Sequence, residues 1–346
     1  MQTCTAPEGI PFMSNSTNPW QSFLAAQGAQ FDAQGAAIFA ASTVGAQLFD
    51  LSSSGLIAIS GADSETFLQG QVTNDIKLLA QGAQFNGYCS PKGRLLALFY
   101  SFSLNDVIYL QCPRALIADL VKRLRMYVLR SKVLVEDASD RLLTFGLASD
   151  TLATSMPQLP TAAHQLAHDT HGTLIRLTDA GKQQRALLVV SHEQAQASWL
   201  SLSAIFAPAS TTQWEALEVQ AGIPQVYAAT KEQFVPQMIN LDALNGINFK
   251  KGCYTGQEIV ARTHYLGKVK RRTMLAQLSA GEHTPQAGDV LHDAQQQEAG
   301  LLVRVAPATN NGWWVLAECR LEAQAAGAIN WQGQPLAFQD LPYALP

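Results

Sequence analysis

Between Leu56 and Glu136 the apolar residues are spaced as strand, helix, strand, strand, strand, helix, strand, an α+β order. Leu56-Ile57-Ala58-Ile59 is a short apolar run. The stretch after Asp63 carries a cap, the pair Phe67-Leu68 and Gly70 as a stop. Residues 83–89 and 94–102 flank Ser90-Pro91-Lys92-Gly93, a tight-turn tetrad, and 106–112 supplies a third strand of that antiparallel run. Pro113 then opens a helix that places Leu116, Ile117, Leu120, Val121 and Leu124 on one face. Residues 132–136 close the unit.

A similar order recurs after Arg141. Residues 142–147, 173–177 and 185–190 read as strands, and 192–204 and 213–221 as helices, which suggests a pseudo-repeat of ferredoxin-like type. After Arg272 come short strands at 274–278, 300–305 and 313–319, the pattern of a small β-barrel or sandwich, with a barrel as the expectation. A chain of 346 residues exceeds one ordinary domain. The expected division is an N-terminal extension at 1–46, a first α+β unit at 47–138, a second at 139–272 and a barrel at 273–346. The extension is expected to be loose or to lie over the first unit.

A formal net charge of −4 argues against coating nucleic acid through bulk electrostatics. Cys4, Cys89, Cys112, Cys253 and Cys319 are widely spread and form no CxxC pair, so neither a disulfide framework nor a zinc site is expected. That usage suits a reduced, cytoplasmic setting. The first 35 residues have no basic start or apolar core of a targeting signal, and no stretch approaches the ~18 apolar residues of a membrane span. His164, His168 and His171 have a spacing that could ligate a metal on a helix. Asp169 and Gly172 beside them point to a surface loop instead, and no metal site is expected.

Lys251-Gly252-Cys253-Tyr254-Thr255-Gly256-Gln257-Glu258 carries the strongest chemical signal. Thr255 to Glu258 fits the S/T-x-x-E capping box, with Thr255 as N-cap, Ile259 to Leu266 as the helix body and Gly267 as its stop. Cys253 would lie two residues before that cap, where the helix end and the Lys250 and Lys251 ammonium groups favour a thiolate. The other reading is a small packing residue in a glycine-rich turn.

This octapeptide, continued by Ile259-Val260-Ala261-Arg262, resembles the signature of the YgfZ family of folate-binding, tRNA-modification and iron–sulfur-maintenance proteins. That family is related to a mitochondrial iron–sulfur assembly factor and to the glycine-cleavage T-protein. Gly222-Ile223-Pro224, Phe234-Val235-Pro236-Gln237, Asn240-Leu241, Gly246-Ile247, Gly61-Ala62-Asp63-Ser64-Glu65 and Gln69-Gly70-Gln71-Val72-Thr73 match as well. The resemblance implies three domains around a central opening that binds tetrahydrofolate or a derivative. Trp214 would stack on the ligand, and Gln220, Asn74 and Arg262 would be further binding residues. Cys253 would be the reactive group, supported by Lys251, Tyr254, Gln257 and Glu258.

Three departures qualify this. The T-protein has a glutamate facing the pterin where this chain has Gln220, which offers one acceptor and one donor in place of two acceptors. A second tryptophan of some bacterial members aligns with Ser54. The paired aspartates that follow the Lys-Gly turn in T-proteins align with Ala97 and Leu98, leaving no carboxylate there for aminomethyl transfer. The implied role is a folate-binding accessory to iron–sulfur enzymes or assembly proteins, and through them to tRNA methylthiolation. The alternative is a folate-dependent one-carbon transferase on another substrate. A single thiolate cannot complete a cluster site that takes four cysteine ligands. Lys250, Lys251, Arg262, Lys268, Lys270, Arg271 and Arg272 form a basic stretch that could meet tRNA directly. Lys268-Val269-Lys270 reads more simply as a strand with outward, edge-protecting lysines, and the tRNA effect as indirect.

Overall fold

A computed structural model describes residues 18–40, 45–309, 311–327 and 329–346. In the strand Ser54–Ser60, Leu56 and Ala58 turn to one side and Ile57 and Ile59 to the other, all four buried. Successive strand side chains point to opposite faces, so a strand apolar at every position must be covered on both. Its outer face packs on the helix Arg114–Arg125 through the five apolar residues the spacing predicts. Its inner face joins a core common to all three sheets. The strand Gln184–Ser191 behaves alike. Leu187 and Val189 enter that common core, while Ala186, Leu188 and Val190 meet Ala195, Trp199 and Leu202 of the helix His192–Ser203.

The first sheet has five antiparallel strands in the order Gln84–Cys89, Leu95–Leu104, Val107–Pro113, Ser54–Ser60, Leu134–Asp137. The second has six, in the order Leu166–Asp169, Gly172–Arg176, Gln184–Ser191, Leu142–Ser149, Gln47–Asp50, Ala207–Ala209. The two orders follow one plan with a single insertion. Gln47–Asp50 lies between Leu142–Ser149, to which it is antiparallel, and Ala207–Ala209, to which it is parallel. Residues 47–50, expected in the first unit, therefore complete the second sheet. An apolar pair such as Leu48-Phe49 does not encode which distant strand it will meet.

Of the N-terminal segment, residues 18–40 pack on the second sheet and not over the first unit. Asn18 caps the helix Pro19–Ala26 by accepting from the Trp20 N–H. Trp20 stacks on Phe145, meets Trp199 edge-on, and donates its indole N–H to buried Asp50 at 2.9 Å. Burial raises the Asp50 pKa, against the hydrogen bonds from Trp20 and Ser52.

The third sheet has seven strands, ordered Gln334–Pro335, Asn330–Trp331, Val290–His292, Glu298–Pro307, Trp313–Arg320, Arg271–Leu278, Ala337–Gln339. Only Leu336 separates its two edge strands in sequence, so the sheet curls into a nearly closed barrel around Ala276, Leu302, Val315 and Ala317. The whole is a mixed α+β fold ending in this barrel. Residues 268–270 form no strand; Arg271–Leu278 begins after them. No helix among the described residues is long and apolar enough to cross a membrane.

Candidate functional site

Where the three sheets meet they leave a central cavity. Phe85, Leu98, Tyr100 and Gln111 line it from the first sheet, Arg185 and Leu187 from the second, and Arg304 from the barrel. Trp214, Glu215 and Glu218 enter from the helix Thr211–Gln220, and His164 from a loop. The centre of a water molecule can occupy about 80 Å³ of it. The free space between surrounding atoms totals about 740 Å³, part of it open to solvent.

Its charged wall is internally paired. Arg185 donates to Glu218 at 2.8 Å, and Arg304 reaches Glu215 at 2.7 Å and Glu218 at 3.1 Å. Burial lowers the Arg185 pKa, with Glu218 working the other way. Burial also opposes the Arg304 charge, but Glu215, Tyr227 and Glu218 outweigh it and raise that pKa. The Arg185 guanidinium lies over the Trp214 ring at 5.4 Å, and the ring presses against Gly146, where a Cβ would come within 2.6 Å. Trp214 is thus a core residue and a cavity residue at once, with a cation already over its ring.

A second polar pair faces the cavity. The Tyr100 hydroxyl and His164 Nδ1 share a hydrogen bond of 2.9 Å. Burial, helped by Arg185, lowers the His164 pKa, so the ring is neutral at neutral pH. His164 adopts a left-handed backbone at φ 69° while its amide donates to Arg176 O and its carbonyl accepts from the Ala83 amide, joining the two sheets. The histidine triplet is not helical. His168 stands on the strand Leu166–Asp169, which replaces the expected loop, and the described residues hold no group of three or more metal-ligating side chains.

The octapeptide forms a different kind of site. Gly256, not Thr255, is the helix N-cap; it is left-handed at φ 83° and makes no side-chain cap. The capping box does not form because the chain turns at Gly256 to pack on the first-sheet hairpin. A Cβ there would collide with the Ser90 carbonyl, and one on Gly93 would come within 2.7 Å of Ile259. The helix is Gln257–Tyr265, and Cys253 stands three residues before its cap. Glu258 is exposed and Gln257 half-buried.

Lys251 fastens the turn. Its ammonium donates to Gln69 O and Val72 O, both at 2.6 Å, and lies over the buried Tyr254 ring at 5.1 Å. Burial pulls its pKa down to about 8, against Asp75. The result is an exposed Cys253 in a turn anchored by the half-buried Lys251 before it and the buried Tyr254 after it. The other three described cysteines are buried; burial pushes Cys89 up to about 12 and raises Cys112 and Cys319 further, so all three stay thiols.

Two expected ligand residues sit elsewhere. Gln220 is outside the cavity lining, because two residues beyond Glu218 a helix has turned about 200° to its opposite face. Asn74 is fully buried and its amide donates to Phe85 O and Asn245 O, which makes it a joint between loops. Arg262 is exposed on the motif helix. Leu98 faces the cavity and Ala97 the opposite core, so this wall offers no carboxylate. Sequence reasoning does not single out Arg185, Glu215, Glu218, Tyr100 or Arg304, and it weighs His164 only as one of three histidines spaced for a metal. The one available signal was the polar interruption at Glu215 and Glu218 of a helix otherwise buried at Trp214, Ala216, Leu217 and Val219.

No family model matches the sequence. The tRNA-modifying protein YgfZ of Yersinia pestis (strain Pestoides F) is 32% identical over 309 residues, covering 86% of this chain and 92% of that one. Its counterpart in Hamiltonella defensa subsp. Acyrthosiphon pisum (strain 5AT) is 32% identical over 275 residues, covering 76% and 80%. Among solved structures, glycine cleavage system aminomethyltransferase T from Bartonella henselae superposes with a TM-score of 0.72 at 16% identity, over 95% of this chain and 98% of that one. That likeness establishes a T-protein-like fold. With 32% identity over 86% of its length, the chain belongs to the YgfZ family.

Proposed function

We propose that this chain acts in tRNA modification as an accessory to iron–sulfur enzymes, with Cys253 as its reactive group and a tetrahydrofolate-type cofactor in the central cavity. The observation that carries the reading is the Cys253 turn. A thiol is exposed while its neighbours Lys251 and Tyr254 are clamped into the first unit, an arrangement that presents the sulfur from an anchored turn. A packing cysteine would be buried, as Cys89 is.

The cavity suits a flat heteroaromatic ring. Its walls mix apolar side chains with polar ones, and with the charged groups paired among themselves, Tyr100, His164 and Gln111 would orient a ligand beside Trp214. Such a cofactor carries one-carbon groups. Here the residues on hand bind and orient it and exclude water. Aminomethyl transfer is disfavoured, since Leu98 replaces a carboxylate and Glu218 is neutralised by Arg185 and Arg304.

The test is methylthiolated tRNA in cells lacking the protein, complemented with wild type or Cys253→Ala at equal abundance. Restoration by wild type alone is expected. Equal restoration by both would reduce Cys253 to a turn residue.

A further inference from the structure

We propose that the face beside the Cys253 turn, built from Phe249, His264, Tyr265 and Leu266 and bordered by Lys250, Arg262, Lys268 and Lys270, binds single-stranded RNA directly, such as an unpaired tRNA loop. This rests on the tRNA-modification reading above and gives that site its substrate class.

The rings are already arranged as a stack. Phe249 and His264 lie parallel with centroids 3.7 Å apart and planes at 11°, and Tyr265 meets both edge-on at 6.1 and 4.7 Å. The stack ends in solvent, with Tyr265 65% and Leu266 85% exposed. Exposed apolar residues grouped in this way mark a contact surface more than a fold requirement. Bases offer a π-face to such rings whatever their identity.

The cations around the stack are free to meet phosphates. Lys250, Arg262, Lys268 and Lys270 are exposed, and among the described residues they make no ion pair. Arg271 and Arg272, the next residues along, are bound to Glu318 and Asp242 and drop out of the basic stretch, as does the clamped Lys251. Because 268–270 is not a strand, edge protection does not account for its two lysines. On a chain of net charge −4, such a cluster directs a polyanion to this face and away from the rest. RNA fits better than an acidic protein segment, because parallel rings flanked by cations match alternating bases and phosphates.

The experiment is fluorescence anisotropy of a labelled tRNA transcript at two salt concentrations, with a short single-stranded oligoribonucleotide and an RNA duplex as competitors. Wild type should bind with an affinity that falls steeply with salt, and the single strand should compete far better than the duplex. Y265A/L266S should weaken binding roughly tenfold or more with the salt slope kept, as loss of a stacking platform does. K268E/K270E should weaken it and lower the salt slope by about 1 or more. K182E, at an exposed lysine outside this face, should match wild type. Absence of salt-dependent binding, equal binding by these variants, or equal competition by duplex would overturn the inference. If wild type ignores RNA but K268E/K270E fails to complement in cells, the face serves a protein and the RNA inference falls, while the Cys253 reading stands. If Cys253→Ala complements fully while RNA binding is intact, the proposed function falls and this inference stands.

Discussion

The central cavity and the Cys253 turn solve opposite physical problems. In the cavity every charge is answered, with the buried Arg185 and Arg304 compensating the partly exposed Glu215 and Glu218 beside Trp214. In the turn the Cys253 thiol is exposed and unanswered, and Lys251 and Tyr254 anchor the chain on either side of it. A ligand entering the cavity must exchange partners with a satisfied network, so recognition there depends on what it replaces. A reaction at Cys253 needs no such exchange and depends on how rigidly the turn is held.

Breaking the cavity network should have the largest effect. Arg304→Met leaves Glu215 and Glu218 without their shared partner across the junction of helix and barrel. It should cost about 3–5 kcal/mol in urea unfolding; a loss under 1 kcal/mol would show that solvent already screens the network.

Lys251→Met tests the clamp of the turn. It removes two charge-assisted bonds to backbone carbonyls and should cost about 1.5–3 kcal/mol, with faster alkylation of Cys253 as the turn loosens. Its pH signature is specific. The folded pKa, about 8, lies below the ordinary lysine value of about 10.4, so the folded state carries fewer protons between them. The stability of wild type relative to Lys251→Met should therefore rise as pH climbs through that window. A flat difference would show that the amine is not desolvated.

Gly256→Ala strains the same turn from the backbone side, through a positive φ and a collision with Ser90 O, and should cost about 1–3 kcal/mol. The smallest effect separates the two readings of the helix start. With Gly256 as N-cap, Thr255→Val should change stability by less than about 0.5 kcal/mol. A loss near 1 kcal/mol would restore the capping box.

Local pattern carried much of the fold. The alternation of Leu56, Ile57, Ala58 and Ile59 and the helical spacing from Leu116 to Leu124 are properties of neighbours in sequence, and the strands and helix appear where they predict. The strand Leu166–Asp169 was hidden because its polar residues resemble a loop until Gly172–Arg176 pairs with it. At the candidate site, the octapeptide marked Cys253 and Lys251, but not that Lys251 would point into the first unit. The motif resemblance points to Gln220, but helix phase turns it away from the cavity and brings Glu218 inward.

What the sequence determined by itself was therefore the glycine-rich turn that carries Cys253 and the alternating cores of both units, because glycine geometry and apolar period act over a few residues. Only the tertiary structure decided which sheet Gln47–Asp50 would join, which helix face would meet the cavity, and which cations would be paired. Those outcomes depend on partners distant in the chain, and the free energy of burying a charge or completing a ladder exists only once they have met.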